Sequence, residues 1–414
     1  MPPRCNIVSD TTVRALLLAG LDRAGRSRRR MDLPAPVWCA AASLATAQQV
    51  PSLFFHGLKQ KQWLSTAPPS VVEDLKNAWR RIALHNLRLF ADLRRIKDAL
   101  DTDGIAFIAL KGIHLAAAVY KDPALRQMRD MDLLLKPHQL GLAADTLKGL
   151  GFRPRRDFDL NLELAAAKHL PPFVNAHGTV VELHAGITYP WTAYAIDAAV
   201  LWRRTISFPA AGTSLLGLSH EDLLLHLCLH TAFEHRFQFG LRPFCDMDAL
   251  IRRRPALDWD FVIREALARG WQKGVFLALV LAKILVGAAV PDDVAARLRP
   301  SDFDDAVAAV AVKQIFTDKA YAHTIPAAAV RVLTRTGRFD KLRGLLSRVL
   351  LPRRDMTRMY ALPNGSPRVL VYYPVRLLDL FRRHRQMLND VSHGNPRRMA
   401  LIRRQQRLAD WMGL

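Results

Sequence analysis

Hydrophobic positions along the chain change period several times, and each change predicts an element. Between Pro36 and Leu100 the pattern is helical. Leu75, Ala78, Trp79, Ile82, Leu89, Leu93 and Ile96 recur three and four residues apart, which places one face of a long helix in the core. Ser70-Val-Val-Glu73, after Pro68-Pro69, has the form of a capping box that opens this helix, and Asp101-Thr-Asp-Gly104 closes it as a turn. The run from Ile105 to Leu110 is apolar without interruption, the mark of a buried strand. A short helix from Gly112 to Tyr120 is broken by Asp122-Pro123. A second strand is predicted from Met131 to Lys136, ended by Pro137, and an amphipathic helix from His138 to Leu150. Gly151-Phe-Arg-Pro154 reads as the entry to another strand. The stretches from His169 to Asn175 and from Thr179 to Ala185 read as a hairpin around Ala176-His177-Gly178. The order β-α-β-α-β-β predicts an α/β or α+β core with a small mixed sheet. After Trp202 the period is helical. Ser219-His-Glu-Asp222 forms a second capping box and starts a helix that runs to about His235. Further helices are expected from Asp246 to Arg253, Phe261 to Arg269 and Trp271 to Val286, and most of the chain beyond Pro291 is helical in pattern.

These changes divide the chain into a disordered basic arm (1–30), an N-terminal helical region (31–100), the nucleotide-site α/β core (101–215), a helical domain (216–300) and a basic helical C-terminal region (301–414). The arm ends in Arg23-Ala-Gly-Arg-Ser-Arg-Arg-Arg30 and is left out of the predicted fold. The most apolar stretch, Val275 to Val290, has 16 residues and contains Lys283. A membrane span needs about 20 apolar residues, so a buried helix is expected there and no span.

Composition changes the picture through charge. Half of the 414 residues are hydrophobic and 23% are charged, which is ordinary globular material. The net charge of +23 is not ordinary, and it favours polyanionic partners. From Arg331 onward there are 19 Lys and Arg against five Asp, a net +14 in about a fifth of the chain. This tail reads either as a solvated helical surface or as a nucleic-acid contact. Cysteines at 5, 39, 228 and 245 have no metal-ligand spacing, so reduced thiols in a cytoplasmic protein are expected.

The candidate chemistry lies between Phe107 and Lys136. Asp130 and Asp132, two residues apart at the start of a strand, point to one face. Ion pairs with Arg126 and Arg129 would account for them structurally. Functionally, paired carboxylates beside basic groups suit a divalent metal carrying a phosphorylated ligand. In Val180-Val181-Glu182-Leu183-His184, Glu182 and His184 share a face, and Glu182 becomes a third carboxylate if the two strands are neighbours. Three carboxylates suit one or two Mg²⁺ ions. Lys111-Gly112 reads as a phosphate clamp, with close backbone approach at Gly and a point charge at Lys. Arg126 suits bidentate phosphate contact, and Arg129 lies beside it. His184 reads as a hydrogen-bonded strand-end histidine or as a general base or phosphate contact. His226 and His230, four apart on a helix, are expected to face substrate or to pack as a polar cluster. A metal site formed with Asp246 or His235 is the other reading.

In order, Leu110-Lys111-Gly112, Tyr120-x-Asp-Pro123, Arg126-x-Met-x-Asp130-Met-Asp132-Leu-Leu and Glu182-Leu183-His184 resemble the bacterial uncharacterised nucleotidyltransferase family. That family belongs to the DNA polymerase beta-like nucleotidyltransferase superfamily. Leu223-Leu-Leu-His226-Leu-Cys-Leu-His230 and Phe244-Cys-Asp246-Met-Asp248 resemble its helical part. The resemblance covers roughly residues 75–290. It implies that Asp130 and Asp132 match the superfamily's acidic pair and Glu182 its third acid. Lys111-Gly112 stands where the superfamily usually has Gly-Ser.

The expected function is Mg²⁺-dependent transfer of a nucleoside monophosphate from an NTP to a hydroxyl or phosphate of an acceptor. The resemblance makes a peptide acceptor plausible, because members of the family are often encoded among genes for modified peptides. One alternative is phosphoryl or sugar transfer from a nucleotide or nucleotide sugar. The other is a catalytically degraded module that binds nucleic acid through the basic C-terminal region.

Overall fold

The computed structural model describes residues 10–25, 32–190, 192–317, 353, 356, 366–378 and 396–414. Contacts group them into two compact units. One runs to Phe303 without residues 236–238; the other holds those three residues and the chain from Asp304 onward.

The first unit is a mixed α/β structure, the predicted class, with a sheet set among many helices. Seven strands carry the sheet: β1 (Ile108–Ala109), β2 (Met131–Leu134), β3 (Arg153–Pro154), β4 (Phe173–Val174), β5 (Val180–His184), β6 (Ile206–Ala210) and β7 (Thr213–Gly217). Their spatial order is β3-β4-β5-β2-β1-β7-β6. β1 runs antiparallel to β2 and parallel to β7, and β2 runs parallel to β5. In that last pair Asp132 lies opposite Glu182 and Leu134 opposite His184. Met131, Leu133, Val181 and Leu183 are buried in the core beneath the sheet, with Ile113, Leu140 and Leu147.

The β6–β7 hairpin has no counterpart in the sequence reading. Its signals are the Ala211-Gly212 turn, with both residues at positive φ, and an alternating buried pattern spoiled by Pro209 and by its short length. Pro209 is exposed and faces Ser214 on the hairpin, so its missing N–H is tolerated at the sheet's outer strand.

Helices α1 (Asp10–Leu21), α2 (Ala35–Ala47), α3 (Pro51–Gln60) and α4 (Pro69–Thr102) precede the sheet. Helix α1 corrects the exclusion of residues 1–30. Leu16 and Leu17 are fully buried, and Gly20 meets Gly57 of α3 so closely that a side chain on Gly57 would collide with the Gly20 carbonyl. The helical spacing of Val13, Leu16, Leu17 and Leu21 carried that information, but the adjoining arginines obscured it. The basic run at 26–30 lies outside the described residues.

Helix α4 buries the predicted apolar face, with Trp79 half-buried. Its start differs from the expected capping box. Pro68 is the N-cap and Pro69 the first helical residue, because proline's fixed φ suits that position. Glu73 instead approaches Lys76 and Arg80 along the helix. Two buried polar residues interrupt the apolar face. Asn86 Nδ2 donates to the carbonyls of Pro123 (2.6 Å) and Arg126 (2.7 Å), fixing the loop before β2. Asp92 accepts from Asn175 Nδ2 (3.0 Å) and Thr179 Oγ1 (2.5 Å), fixing the β4–β5 hairpin.

Helix α5 starts at Lys111, directly after β1, as an α-helical turn (Lys111–His114) and continues as a π-helical segment (Leu115–Tyr120). Helices α6 (Leu140–Gly149), α7 (Leu160–Ala166) and α8 (Ala198–Trp202) lie between the later strands. Helix α9 (His220–Leu229) begins with the predicted cap, Asp222 N donating to Ser219 Oγ at 3.1 Å. It passes into a π turn over His230–Glu234. Helices α10 (Arg242–Arg253), α11 (Trp259–Ala268), α12 (Gln272–Val286) and α13 (Asp292–Leu298) complete the unit. Among the described residues no helix is long and apolar enough to cross a membrane.

In the second unit α14 (Asp305–Ile315) packs with α15 (Pro396–Met412), burying Ile315, Leu401 and Leu408. Most of the basic stretch from Arg331 lies outside the described residues.

His114 illustrates how tightly the sheet is covered. It stacks on Phe208 of β6 at 4.5 Å, and a Cβ on Gly217 would stand 2.7 Å from its ring. Burial, reinforced by His220 and Arg254, lowers its pKa to about 3. The unfolded chain, with an ordinary value near 6.5, therefore binds a proton that the folded chain refuses. Stability falls as pH drops below that unfolded value. Between pH 7 and 5 this residue is expected to cost about 2 kcal/mol. Urea denaturation of the wild type and His114→Phe at both pH values checks this, and the variant should lose that share of the pH dependence.

Candidate active site

The acidic strand and its neighbours meet at a cavity of about 280 Å³. Lys111, Gly112, Arg126, Asp130, Asp132, Lys168, Glu182, His230, Glu234 and Arg242 are among its lining residues. Parallel pairing of β2 and β5 turns sequence spacing into convergence: Asp132 and Glu182 are register partners on one face of the sheet. Their carboxylates and the ring of His184 lie close enough for one atom from each to reach a common ion.

Asp132 is buried to 8% side-chain exposure and lies against Lys111 and His184. Lys111 Nζ is 3.2 Å from Oδ2, and His184 Nε2 is 2.9 Å from Oδ1. Burial pushes its pKa up, but Lys111 and the His184 hydrogen bond outweigh that and hold the carboxyl well below the ordinary range. Asp130 behaves oppositely: burial first, and the Asp132 charge second, raise its pKa. At Glu182, burial is outweighed by the His184 contact at 3.4 Å, and its pKa is lowered. Burial disfavours the His184 imidazolium, but Asp132 and Glu182 together raise its pKa. The same competition raises Lys111, where burial is overcome by Asp132, Glu234, Asp130 and Glu182. Lys111 also carries a φ of +30° at the start of α5, a conformation non-glycine residues seldom adopt and one concentrated at functional sites.

The arginines take roles the sequence did not give them. Asp130 and Asp132 are not held by Arg126 and Arg129. The Arg126 fork is engaged on Asp246 of α10, through Nε–Oδ1 at 3.2 Å and Nη2–Oδ2 at 2.9 Å. Tyr120 Oη donates to the same carboxylate at 3.0 Å. Arg126 therefore ties the loop before β2 to α10, which differs from an open phosphate fork. Arg129 is exposed and lies outside the cavity lining.

His226 also departs from expectation. It is buried, does not line the cavity, and its ring stands 6.3 Å from that of His230. The residues grouped with His230 are Glu234 and His235. Burial first, then Lys111 and other neighbouring cations, holds His230 well below the ordinary histidine value.

Sequence reasoning missed Lys168, Glu234 and Arg242. Lys168 Nζ is 2.6 Å from Glu234 Oε2, and burial lowers the Lys168 pKa despite that partner. Lys168 is placed by main-chain bonds, its carbonyl accepting from the N–H groups of Ala185 (2.8 Å) and Gly186 (3.2 Å) just past β5. Arg242 opens α10, and burial, with Arg126 beside it, lowers its pKa to about 10. The signal for Arg242 was its place four residues before Asp246; Glu234 stands four after His230.

The residues that line this cavity all fall within the stretch matched by one family model. The model for an uncharacterised nucleotidyltransferase covers residues 34–287, more than half of the chain. The chain belongs to the uncharacterised nucleotidyltransferase family. Comparison with curated proteins and with solved structures returns no match. Within this family member, residues 34–287 include the whole sheet, the acid cluster and α10.

The Arg126–Asp246 pair is buried on both sides, at 8% and 2% side-chain exposure. Asp246→Ala leaves the guanidinium buried without its carboxylate, and a loss of about 3–5 kcal/mol is expected. Denaturant unfolding of Asp246→Ala, Arg126→Ala and the double variant checks this. The double variant should lose less than the sum of the two single losses.

Proposed function

We propose that the protein is a Mg²⁺-dependent nucleotidyltransferase that moves a nucleoside monophosphate from an NTP to a hydroxyl or phosphate of an acceptor, releasing pyrophosphate. The observation that carries this reading is the register of Asp132 against Glu182, with Asp130 beside them, on the wall of a cavity that also presents Lys111, Lys168 and Arg242.

The donor set fits divalent magnesium. It is made of hard carboxylate oxygens that share one cavity wall, with Asp132 and Glu182 in register on neighbouring strands. Asp130, Asp132 and Glu182 would hold one or two ions. When bound, Mg²⁺ supplies charge stabilisation at the attacking and leaving oxygens.

The chain's own residues then divide the work. Lys111, Lys168 and Arg242 bind the phosphates, with Arg242 in the part the sequence assigned to Arg126. The acceptor oxygen forms a bond to the α-phosphorus as the bond from that phosphorus to the pyrophosphate oxygen breaks. The acceptor proton passes to a carboxylate of the acid cluster. His184 is poorly placed to receive it, since it is buried behind the cavity wall and its Nε2 already faces Asp132 and Glu182. It acts as a positioning residue that keeps the two carboxylates apart from each other's charge. A peptide is the proposed acceptor class, on the strength of the family resemblance alone.

Isothermal titration with Mg²⁺ and each NTP is expected to show binding by the wild type and none by Asp130→Ala/Asp132→Ala. Arg242→Ala should weaken nucleotide binding and lower pyrophosphate release by about 10²–10³-fold, whereas Arg129→Ala should leave both nearly unchanged. Equal binding by wild type and double variant would overturn the reading. Mass spectrometry of incubated peptides separates nucleotidyl, phosphoryl and hexosyl additions by mass.

A further inference from the structure

The π turn that ends α9 has consequences beyond the acid cluster. On a regular α-helix, residues five apart are rotated by about 140° from one another, so His230 and His235 would face different ways. Here His235 N donates to His230 O at 3.2 Å, closing an i→i+5 turn. That turn brings His230, Glu234 and His235 to one side, where all three line the cavity. His230 Nε2 and His235 Nε2 stand 3.1 Å apart, and Glu234 Oε2 is 3.9 Å from His230 Nε2. Nitrogen ligands about 2.0–2.1 Å from one ion stand about 2.9–3.4 Å from each other in octahedral to tetrahedral geometry. The imidazole pair already has that separation.

The second observation concerns Glu234. Its side chain is only 4% exposed. Oε2 is taken by Lys168, but Oε1 is buried and meets no hydrogen-bond partner among the described residues. A buried carboxylate oxygen without a partner is costly, and here it belongs to the residue between two histidines whose ring nitrogens converge. Aromatic packing fixes the rings: Phe239 lies 5.3 Å from His230 and 4.1 Å from His235. Lys168, bound to the other oxygen, orients the carboxylate as an outer partner.

We propose that His230, Glu234 and His235 form a second metal site, for a zinc-class transition ion, on the wall of the cavity formed by the π turn. Two imidazoles and one carboxylate leave a fourth position open to the cavity, as in zinc sites that bind a ligand as well as the protein. Nitrogen donors separate this site from the all-oxygen Asp130–Asp132–Glu182 set, which suits Mg²⁺. The ligand for the open position is an anionic oxygen, from phosphate or carboxylate, in the cavity that Lys111 and Lys168 make basic.

The test uses the full chain, stripped with chelator and titrated with Co²⁺ in the absence of nucleotide, so its outcome is separate from that of nucleotide binding. The wild type is expected to bind one Co²⁺ with the visible absorption of imidazole-ligated, low-coordinate cobalt. Elemental analysis after Zn²⁺ loading should find one zinc per chain. His235→Ala and Glu234→Gln should each weaken Co²⁺ binding by at least about 10–100-fold, and Asp132→Asn should leave the spectrum in place. Glu234→Gln keeps the side-chain shape, and its circular dichroism melt against wild type separates ligand loss from misfolding. A folded wild type without saturable Co²⁺ absorption overturns the proposal. So does a spectrum that survives in folded Glu234→Gln, or one lost in Asp132→Asn but kept in His235→Ala.

Discussion

Asp132 is a carboxylate kept ionised in a nearly water-free place, and much of the surrounding structure follows from that cost. A buried charge needs partners of opposite sign and good geometry. Lys111 comes from the start of α5, which requires a positive φ directly after β1. His184 comes from the end of β5, which requires the parallel pairing of β2 and β5. Glu182 is then placed opposite Asp132 by register alone. The β2–β5 pairing and the start of α5 together bring Lys111, His184, Asp132 and Glu182 to one place.

A second ring of charge supports the first. Asp246, Arg126 and Tyr120 join α10, the loop before β2 and the end of α5 through one carboxylate. Lys168 and Glu234 join the strand end beyond β5 to the π turn. Each link connects a piece of the α/β core to a piece of the helical part, so the cavity wall is shared between them. The rigidity of the acid cluster therefore depends on helices distant from it in sequence.

What the sequence allowed was uneven. The acid pair, Glu182 and the Lys111-Gly112 turn were legible because period-two alternation and a buried apolar run leave few choices of face. Helices α4, α9, α11 and α12 were legible from three-and-four spacing. Arg126 was misread because its type, an arginine beside acids, says nothing about which acid it meets; Asp246 lies 120 residues away. His226 and His230 do follow one another along regular α-helix, with the His230 N–H on the His226 carbonyl. The joining of His235 to His230 was not legible, because the chain turns as a π-helix only from His230 onward. Lys168, Glu234 and Arg242 carry no local signature, since their roles arise only when separate elements meet. The β6–β7 hairpin escaped because a proline and a five-residue length blurred its alternation.

Helix α4 sets its own position along its axis with two polar side chains. Apolar faces of a long helix tolerate sliding, because leucines and isoleucines one turn apart are nearly interchangeable in what they cover. Asn86 and Asp92 are not interchangeable with their neighbours. Asn86 reaches two carbonyls of the loop leading to the acid strand, and Asp92 reaches both sides of the β4–β5 hairpin. A shift by one turn would strand both in an apolar contact. The helix thus sets two marks, one on the loop that leads into the Asp132 strand and one on the turn that leads into the Glu182 strand.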